Sequence, residues 1–395
     1  MLRFLSIFLG ISCCLNFLAA DEQLTISDFL HFSKEQHQNM IDSPQNSQEI
    51  HFVMGNESAD LDSIVSSIAY AYLLTYENAD QNQLYIPLLN IHREEMALRK
   101  DALYLLQLFG LSVDDLLFLD DNVSLDLLLA QEKLRISLVD HNLLRPSQEH
   151  LSPAIERIVD HHFDENRHYP LLSEENKLIA VVGSATTLIA EKILSNTQMA
   201  LTPELATLLL GPILIDTANL QSVEKTTKRD TNVVETLLTA ASGVIPEGFY
   251  EKLMAAKSDV SGLTPAMLLS KDFKEYLDGQ LLYGISSLPN TVGWWSEDES
   301  TLCPILEKFA GERQLSFLIV LTANQDPQGP KRKIIVYSDS AESLATFESY
   351  VRTDPALSAI LSPGPKAADG RISYYTAINF IARKQLQPLL HFPQN

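Results

Sequence analysis

The order of apolar and polar positions changes rhythm sharply within residues 52–74. Phe52 to Met54 is an apolar run that reads as a buried strand. A polar turn with Asp60 and Asp62 follows, and apolar residues then recur at helical spacing from Ile64 to Leu74. Leu84–Leu89 reads as a second strand, Arg93–Phe109 as a helix with a polar start, and Leu116–Leu119 and Ile136–Val139 as further strands. This alternation predicts an α/β fold built on a doubly wound, mainly parallel sheet. Past a helical segment at Pro246–Lys257, strand-like LLYGISSL, SFLIVLTA and KIIVYS and a final ARKQLQPLL suggest a second, smaller α/β domain.

Length agrees with two domains, because 395 residues exceed what one core usually supports. The expected division is 21–245 and 246–395, preceded by a leader. Met1 to Ala20 has one cation, Arg3, then the apolar run FLSIFLGISCCLNFL and small residues at Ala19 and Ala20, the layout of a secretory signal peptide. An uncleaved membrane anchor is the alternative. The polar DEQLTISD that follows favours cleavage near Ala20, a soluble remainder without stable membrane association, and a secreted or lumenal setting rather than a cytoplasmic one.

With 46% hydrophobic and 20% charged residues the composition is that of a globular protein. Two of the three cysteines, Cys13 and Cys14, fall in the leader, so Cys303 excludes both a disulfide scaffold and a cysteine metal cluster. A formal charge of −22 argues against nucleic acid as a partner. An anionic substrate would need a local group of cations.

Ligands of doubly wound sheets bind at the carboxyl ends of strands, and four apolar runs end in potential metal ligands. The first leads to Asn56, Asp60 and Asp62, ISLVDHN to Asp140 and His141, IERIVDHH to Asp160, His161 and His162, and GPILIDTANL to Asp216. Any one of these acids could be a turn or helix cap, as Ser58 or Asp60 could be at the first turn. Four such endings in one sheet converge on one rim and describe a binuclear oxygen/nitrogen metal centre. A cation there would offset the repulsion among the carboxylates.

The motifs NESADLD, VDHN, VDHHFD and LIDTANL, with VGSATTL and HREEMALRKDALY, resemble those of the DHH phosphoesterases in order and type. The resemblance runs over nearly all of the chain after about residue 45, and is greatest to exopolyphosphatases of the yeast type, with prune-like phosphodiesterases and family II inorganic pyrophosphatases further off. It implies a DHH domain followed by a DHHA2-type domain, with the active site in the cleft between them. It also implies that Asp140 bridges two metals, that Asp60 binds one of them, and that Asp62, His161 and Asp216 bind the other.

The position of Asn56 is a histidine ligand in the pyrophosphatases, and asparagine there speaks against a dedicated pyrophosphatase. By the same resemblance His162 donates to the reacting phosphate, and its presence favours the exopolyphosphatase branch, since prune-like proteins tend to carry arginine. Lys274 matches a phosphate-binding lysine and Arg383-Lys384 a terminal basic pair. Lys271 is either a further substrate contact or a solvated surface residue. Ser184 opens a turn whose backbone N–H groups either take phosphate or are simply capped. Arg93, Arg99 and Lys100 read as a track for a long polyanion or as a solvated helix face.

The expected reaction is hydrolysis of terminal phosphoanhydride bonds of inorganic polyphosphate, releasing orthophosphate, with hydroxide activated by two divalent cations. Manganese is the preferred ion, with magnesium or cobalt as alternatives. Short phosphoanhydrides are expected substrates too, and the chain is expected to be a monomer. The contrasting readings are a phosphodiesterase or pyrophosphatase using the same centre, and a binding protein that has lost catalysis. The intact ligand set, and a chain that ends soon after Lys384, speak against the last.

Overall fold

The computed structural model describes residues 23–42, 48–77, 83–288, 299–326, 329–367, 370–377 and 381–391, so the expected leader lies outside the described residues. Two compact units are present: one runs to Leu144 and from Gln148 to Asp259, and the other holds Arg145–Ser147 and the chain from Val260 onward.

In the first unit, α1 (Ile26–Asp42) precedes β1 (Glu49–Met54), and β1 hands over to α2 (Leu61–Glu77) through the turn at 55–60. Then come β2 (Gln83–Leu89), a 3-10 turn at Arg93–Leu98, α3 (Lys100–Leu108), β3 (Leu117–Phe118), α4 (Leu125–Ala130), β4 (Leu134–Val139), β5 (Ile155–Asp160) and β6 (Lys177–Ile179). Helices α5 (Ala185–Ser195), α6 (Pro203–Asp216), α7 (Lys228–Ala240) and α8 (Phe249–Ser258) complete it.

The sheet order is β3-β2-β1-β4-β5-β6 with every pairing parallel. Alternate residues of each strand feed two cores, Phe52 and Met54 on one face and Val53 on the other, Ile136 and Leu138 against Val139. Burial on both faces is why these strands read as unbroken apolar runs. Strand order reverses between β1 and β4, and the crevice at the carboxyl ends of those two strands is where such a sheet takes its ligand.

Two expected elements differ. GPILIDTANL does not close a strand; its first six residues end α6, so Asp216 is the last residue of a helix and TANL follows as a turn. The run is buried almost all round, and a buried helix and a buried strand share that pattern. Thr202 caps this helix by accepting from the Leu205 N–H, with Pro203 at the first position. The expected helix 93–109 is two pieces broken at Arg99. Helix α8 packs its Phe249 and Leu253 into the first core, so that unit extends to Asp259, past the expected division at 245/246.

The second unit carries α9 (Pro265–Lys271), β7 (Phe273–Asp278), β8 (Leu281–Ser287), α10 (Glu299–Glu312), β9 (Phe317–Asp326) and β10 (Gly329–Tyr337). It continues with α11 (Ala341–Thr353), α12 (Pro355–Ile360), β11 (Leu361–Lys366), β12 (Ile372–Ala377) and α13 (Arg383–Leu386). Its sheet runs β11-β12-β10-β9-β8-β7, antiparallel except for the β8–β9 pair, with a core on each face. Among the described residues no helix is long and apolar enough to cross a membrane.

Candidate metal centre

Asp140 follows β4 directly and is held at φ 61°, a left-handed conformation uncommon for a residue with a side chain. Its carboxylate is 2% exposed as a residue and divides its two oxygens between two sets of groups. Oδ2 accepts from Asn56 Nδ2 at 2.7 Å and from Ser63 Oγ at 2.5 Å. Oδ1 lies 3.2 Å from His161 Nε2 and 3.7 Å from His162 Nδ1. Asp62 Oδ2 is 3.8 Å from the same His161 Nε2. Among the described residues, Asp140, His161 and His162 offer ligand atoms within 4.8 Å of one another.

Each side chain is aimed by hydrogen bonds. His161 Nδ1 donates to the Val182 carbonyl at 3.0 Å, which leaves Nε2 toward the carboxylates. Asp60 Oδ1 accepts from the Ser63 N–H at 3.1 Å, the geometry of a helix N-cap. A close approach of the turn to α2 requires Gly55, where a Cβ would stand 2.8 Å from that of Ser63. His141 Nδ1 lies 2.9 Å from the Val139 carbonyl. Asp160 is fully buried, and its oxygens accept from His162 Nδ1 at 2.8 Å, Asn142 Nδ2 at 2.5 Å and the His161 N–H at 2.7 Å.

The electrostatics ask for a cation. Burial, then the charges of Asp62 and Asp60, push Asp140 well above the usual carboxylate range. Enclosure and Asp62 push Asp216 up to about 8, against the pull of Lys257. Burial alone would lower His161, but Asp140 and Asp62 outweigh it and raise the imidazole to about 10. Asp160 shows the opposite balance, because hydrogen bonds from His162 and Asn142 overcome burial and hold it well below the usual range. Carboxylates that repel one another around an inward Nε2 form a hard oxygen and imidazole donor set, which fits a divalent metal ion. Asp140 and His161, with Asp62 3.8 Å from His161 Nε2, are brought together by the fold, and Asp60 and Asp216 act on the same group through their charge.

Two expected roles meet different geometry. Asn56 turns its nitrogen to Asp140 and its oxygen to the Ser58 N–H at 2.8 Å, so it orients Asp140 instead of offering a ligand oxygen. The turn at Ser184 is taken by Asp62: the Ala185 and Thr186 N–H groups donate to its Oδ2 and Oδ1 at 2.7 and 2.8 Å, and Thr186 Oγ1 donates at 2.6 Å. Those N–H groups therefore bind a carboxylate of the protein itself, and Ser184 is fully buried.

The polyanion track is also engaged elsewhere. Arg93 pairs with Asp121 at 2.6 Å and stacks 4.4 Å from the Phe118 ring, Arg99 is buried, and Lys100 pairs with Asp259 at 2.8 Å.

Sequence reasoning missed Asp230, which is fully buried and accepts from the Gly183 N–H at 3.0 Å, Thr187 Oγ1 at 2.7 Å and Thr227 Oγ1 at 2.7 Å. It fastens the turn whose Val182 carbonyl orients His161. The Thr227 to Asp230 spacing is a capping-box signal at the start of α7, but its reach to Gly183 has no local signature.

In the second unit, Lys271 ends α9, Lys274 lies on β7 opposite Ile285, and Arg383 and Lys384 open α13. Arg383 Nη2 pairs with Asp272 Oδ1 at 2.8 Å, while its Nε and Nη1 are buried with no hydrogen bond among the described residues. Buried guanidinium N–H groups of this kind suit an anion. Arg332, absent from the expected set, is also buried here and donates to the Ile381 carbonyl at 3.1 Å.

Comparison with known proteins accords with this architecture. Residues 51–213 match the N-terminal domain of the DHH family and residues 251–391 match the DHHA2 domain. The mouse protein named exopolyphosphatase PRUNE1 is 30% identical over 352 residues, 88% of this chain and 76% of that protein. A Schizosaccharomyces pombe protein named "Putative exopolyphosphatase" is 31% identical over 93% of this chain and 97% of its own length. A manganese-dependent inorganic pyrophosphatase of Methanothrix thermoacetophila is 29% identical over 57% of this chain and 65% of its own. The crystal structure of a Methanococcus jannaschii protein titled "putative family II inorganic pyrophosphatase" shares the fold, with TM-score 0.57 at 22% identity over 86% of this chain and 98% of that one. The chain belongs to the DHH family of phosphoesterases, in the branch that carries a DHHA2 domain.

Proposed function

We propose that this protein is an exopolyphosphatase that hydrolyses the terminal phosphoanhydride bond of inorganic polyphosphate and releases orthophosphate. The observation that carries the reading is the cluster of repelling carboxylates around Asp140, faced by His161 and His162. Its pairing with relatives named exopolyphosphatase supports the substrate class. Two divalent ions, manganese preferred, would be held by Asp60, Asp62, Asp140, His161 and Asp216. When bound they supply a lowered water pKa and charge neutralisation at the phosphoryl group.

The protein's own residues do the rest. Asp140 serves both sides of the site, with Asn56 and Ser63 fixing one oxygen so that the other keeps its direction. His162, gripped at Nδ1 by the fully buried Asp160, presents Nε2 as a donor to a phosphoryl oxygen. In the second unit, Arg383 has two buried N–H groups of a kind that suits an anion, and Lys271, Lys274 and Lys384 add positive charge in the same unit.

Phosphate release by the purified chain with Mn2+ tests the proposal on long-chain polyphosphate, tripolyphosphate, pyrophosphate and a cyclic nucleotide. Consumption of the first two with accumulation of pyrophosphate supports it. Faster turnover of pyrophosphate or of the cyclic nucleotide moves the substrate to the pyrophosphatase or phosphodiesterase class.

A further inference from the structure

Arg99 sits where the 3-10 turn Arg93–Leu98 gives way to α3, and its backbone leaves helical geometry at φ −104° and ψ 56°. The break turns its side chain inward, and the residue is 4% exposed. Nε donates to the Ala59 carbonyl at 2.9 Å, and Nη2 donates to the Ser58 carbonyl. These two acceptors flank Ala59, which lies at φ 40° in the left-handed region that alanine seldom occupies. On one side of this turn Asn56 accepts the Ala59 N–H at its carbonyl, at 3.0 Å. On the other side come Asp60 and the start of α2 with Asp62.

We propose that Arg99 is a positioning residue for the metal-binding turn. Its planar fork holds two successive carbonyls, which a single ammonium group cannot do in the same plane. The grip keeps Ala59 in its left-handed conformation, and that conformation sets the direction in which the chain delivers Asp60. Without the fork Ala59 relaxes toward negative φ, and the Asp60 carboxylate swings away from Asp140. Burial separates this role from the surface track expected of the same residue. The inference rests on reading Asp60 and Asp62 as metal ligands, and it is independent of which phosphate compound is the substrate.

The test is Mn2+ binding to the full chain without substrate, followed by electron paramagnetic resonance of the free ion, in wild type, Arg99→Lys and Arg99→Met. Metal-free thermal midpoints and near-ultraviolet circular dichroism report whether each variant is folded. Loss of outer support predicts Mn2+ binding weakened about 10-fold in R99K and about 10- to 100-fold in R99M. At saturating Mn2+, KM for tripolyphosphate stays within about twofold of wild type. If R99M does not fold, R99K decides. Wild-type Mn2+ affinity in R99K overturns the proposal. So does a raised KM with unchanged Mn2+ binding, which would make Arg99 a phosphate contact. Affinity is read without substrate, so a wrong substrate assignment leaves this result intact.

Discussion

Asp62 has two jobs, and the structural one can be weighed. Its carboxylate, 3% exposed, accepts the Ala185 and Thr186 N–H groups and the Thr186 hydroxyl at 2.6 to 2.8 Å, and so caps α5 from another helix. Asp62→Ala leaves these buried donors without their acceptor, at about 1–3 kcal/mol for each unsatisfied group. An opposing gain comes from removing a charge that raises Asp140 and Asp216. That gain is bounded at Asp216, which, pushed up to about 8, already holds its proton near neutral pH and has shed that repulsion. Hydrogen-bond loss therefore wins, by roughly 2–4 kcal/mol after partial relaxation and water entry. For a unit of this size that lowers the metal-free thermal midpoint by about 5–12 °C. Scanning calorimetry in chelator, with Asp216→Asn as a control, checks it. The control removes a raised acid with no comparable bonds, and its midpoint is expected to equal or exceed wild type. A midpoint for D62A within about 1 °C of wild type would refute the reasoning.

Metal binding and pH are linked through the same groups. With the imidazole of His161 raised to about 10 and Asp216 to about 8, both carry protons in the metal-free protein near neutral pH and must lose them to bind a cation. Mn2+ affinity should climb as pH rises from about 6 to 8, and calorimetry in buffers of different ionisation heat should show net proton release; a flat profile contradicts the linkage. Both folded pKa values exceed the ordinary ones, so their stabilising contribution is full at low pH and is lost as pH rises from about 3.8 to about 8 for Asp216 and from about 6.5 to about 10 for His161. The metal-free midpoint should fall across that window, and added Mn2+ should remove the fall. Asp160→Asn removes the charged partner of His162 while keeping a side chain of the same shape, and should lower kcat about 10- to 100-fold with Mn2+ binding little changed. An unchanged kcat would detach Asp160 from catalysis.

The sequence made the β1 to α2 turn and the endings of β4 and β5 legible, because acids and imidazoles interrupt apolar runs at the carboxyl edge of a parallel sheet. Asp216 was found as a residue but given the wrong element, since an unbroken apolar run cannot distinguish strand from buried helix and the Thr202-Pro203 start went unread. The roles of Arg99, Asp230 and Asn56 were out of reach for a different reason. Each depends on a hydrogen bond across a long stretch of chain, Arg99 to Ser58 and Ala59, Asp230 to Gly183, Asn56 to Asp140, and no local periodicity encodes such a contact. Ser184 kept two readings open for the complementary reason: a helix N-terminus open to phosphate and one closed by a distant carboxylate share the same local sequence.

The central claim is that carboxylates gathered at Asp140 hold the ions that cleave phosphoanhydrides, and Asp140→Asn tests it most directly. This change keeps an oxygen for Ser63 Oγ, and the metal-free midpoint with near-ultraviolet circular dichroism reports whether the variant is folded. Phosphate release from tripolyphosphate with saturating Mn2+ should drop by about 100-fold or more. A folded D140N enzyme that retains activity within about tenfold of wild type would contradict the account.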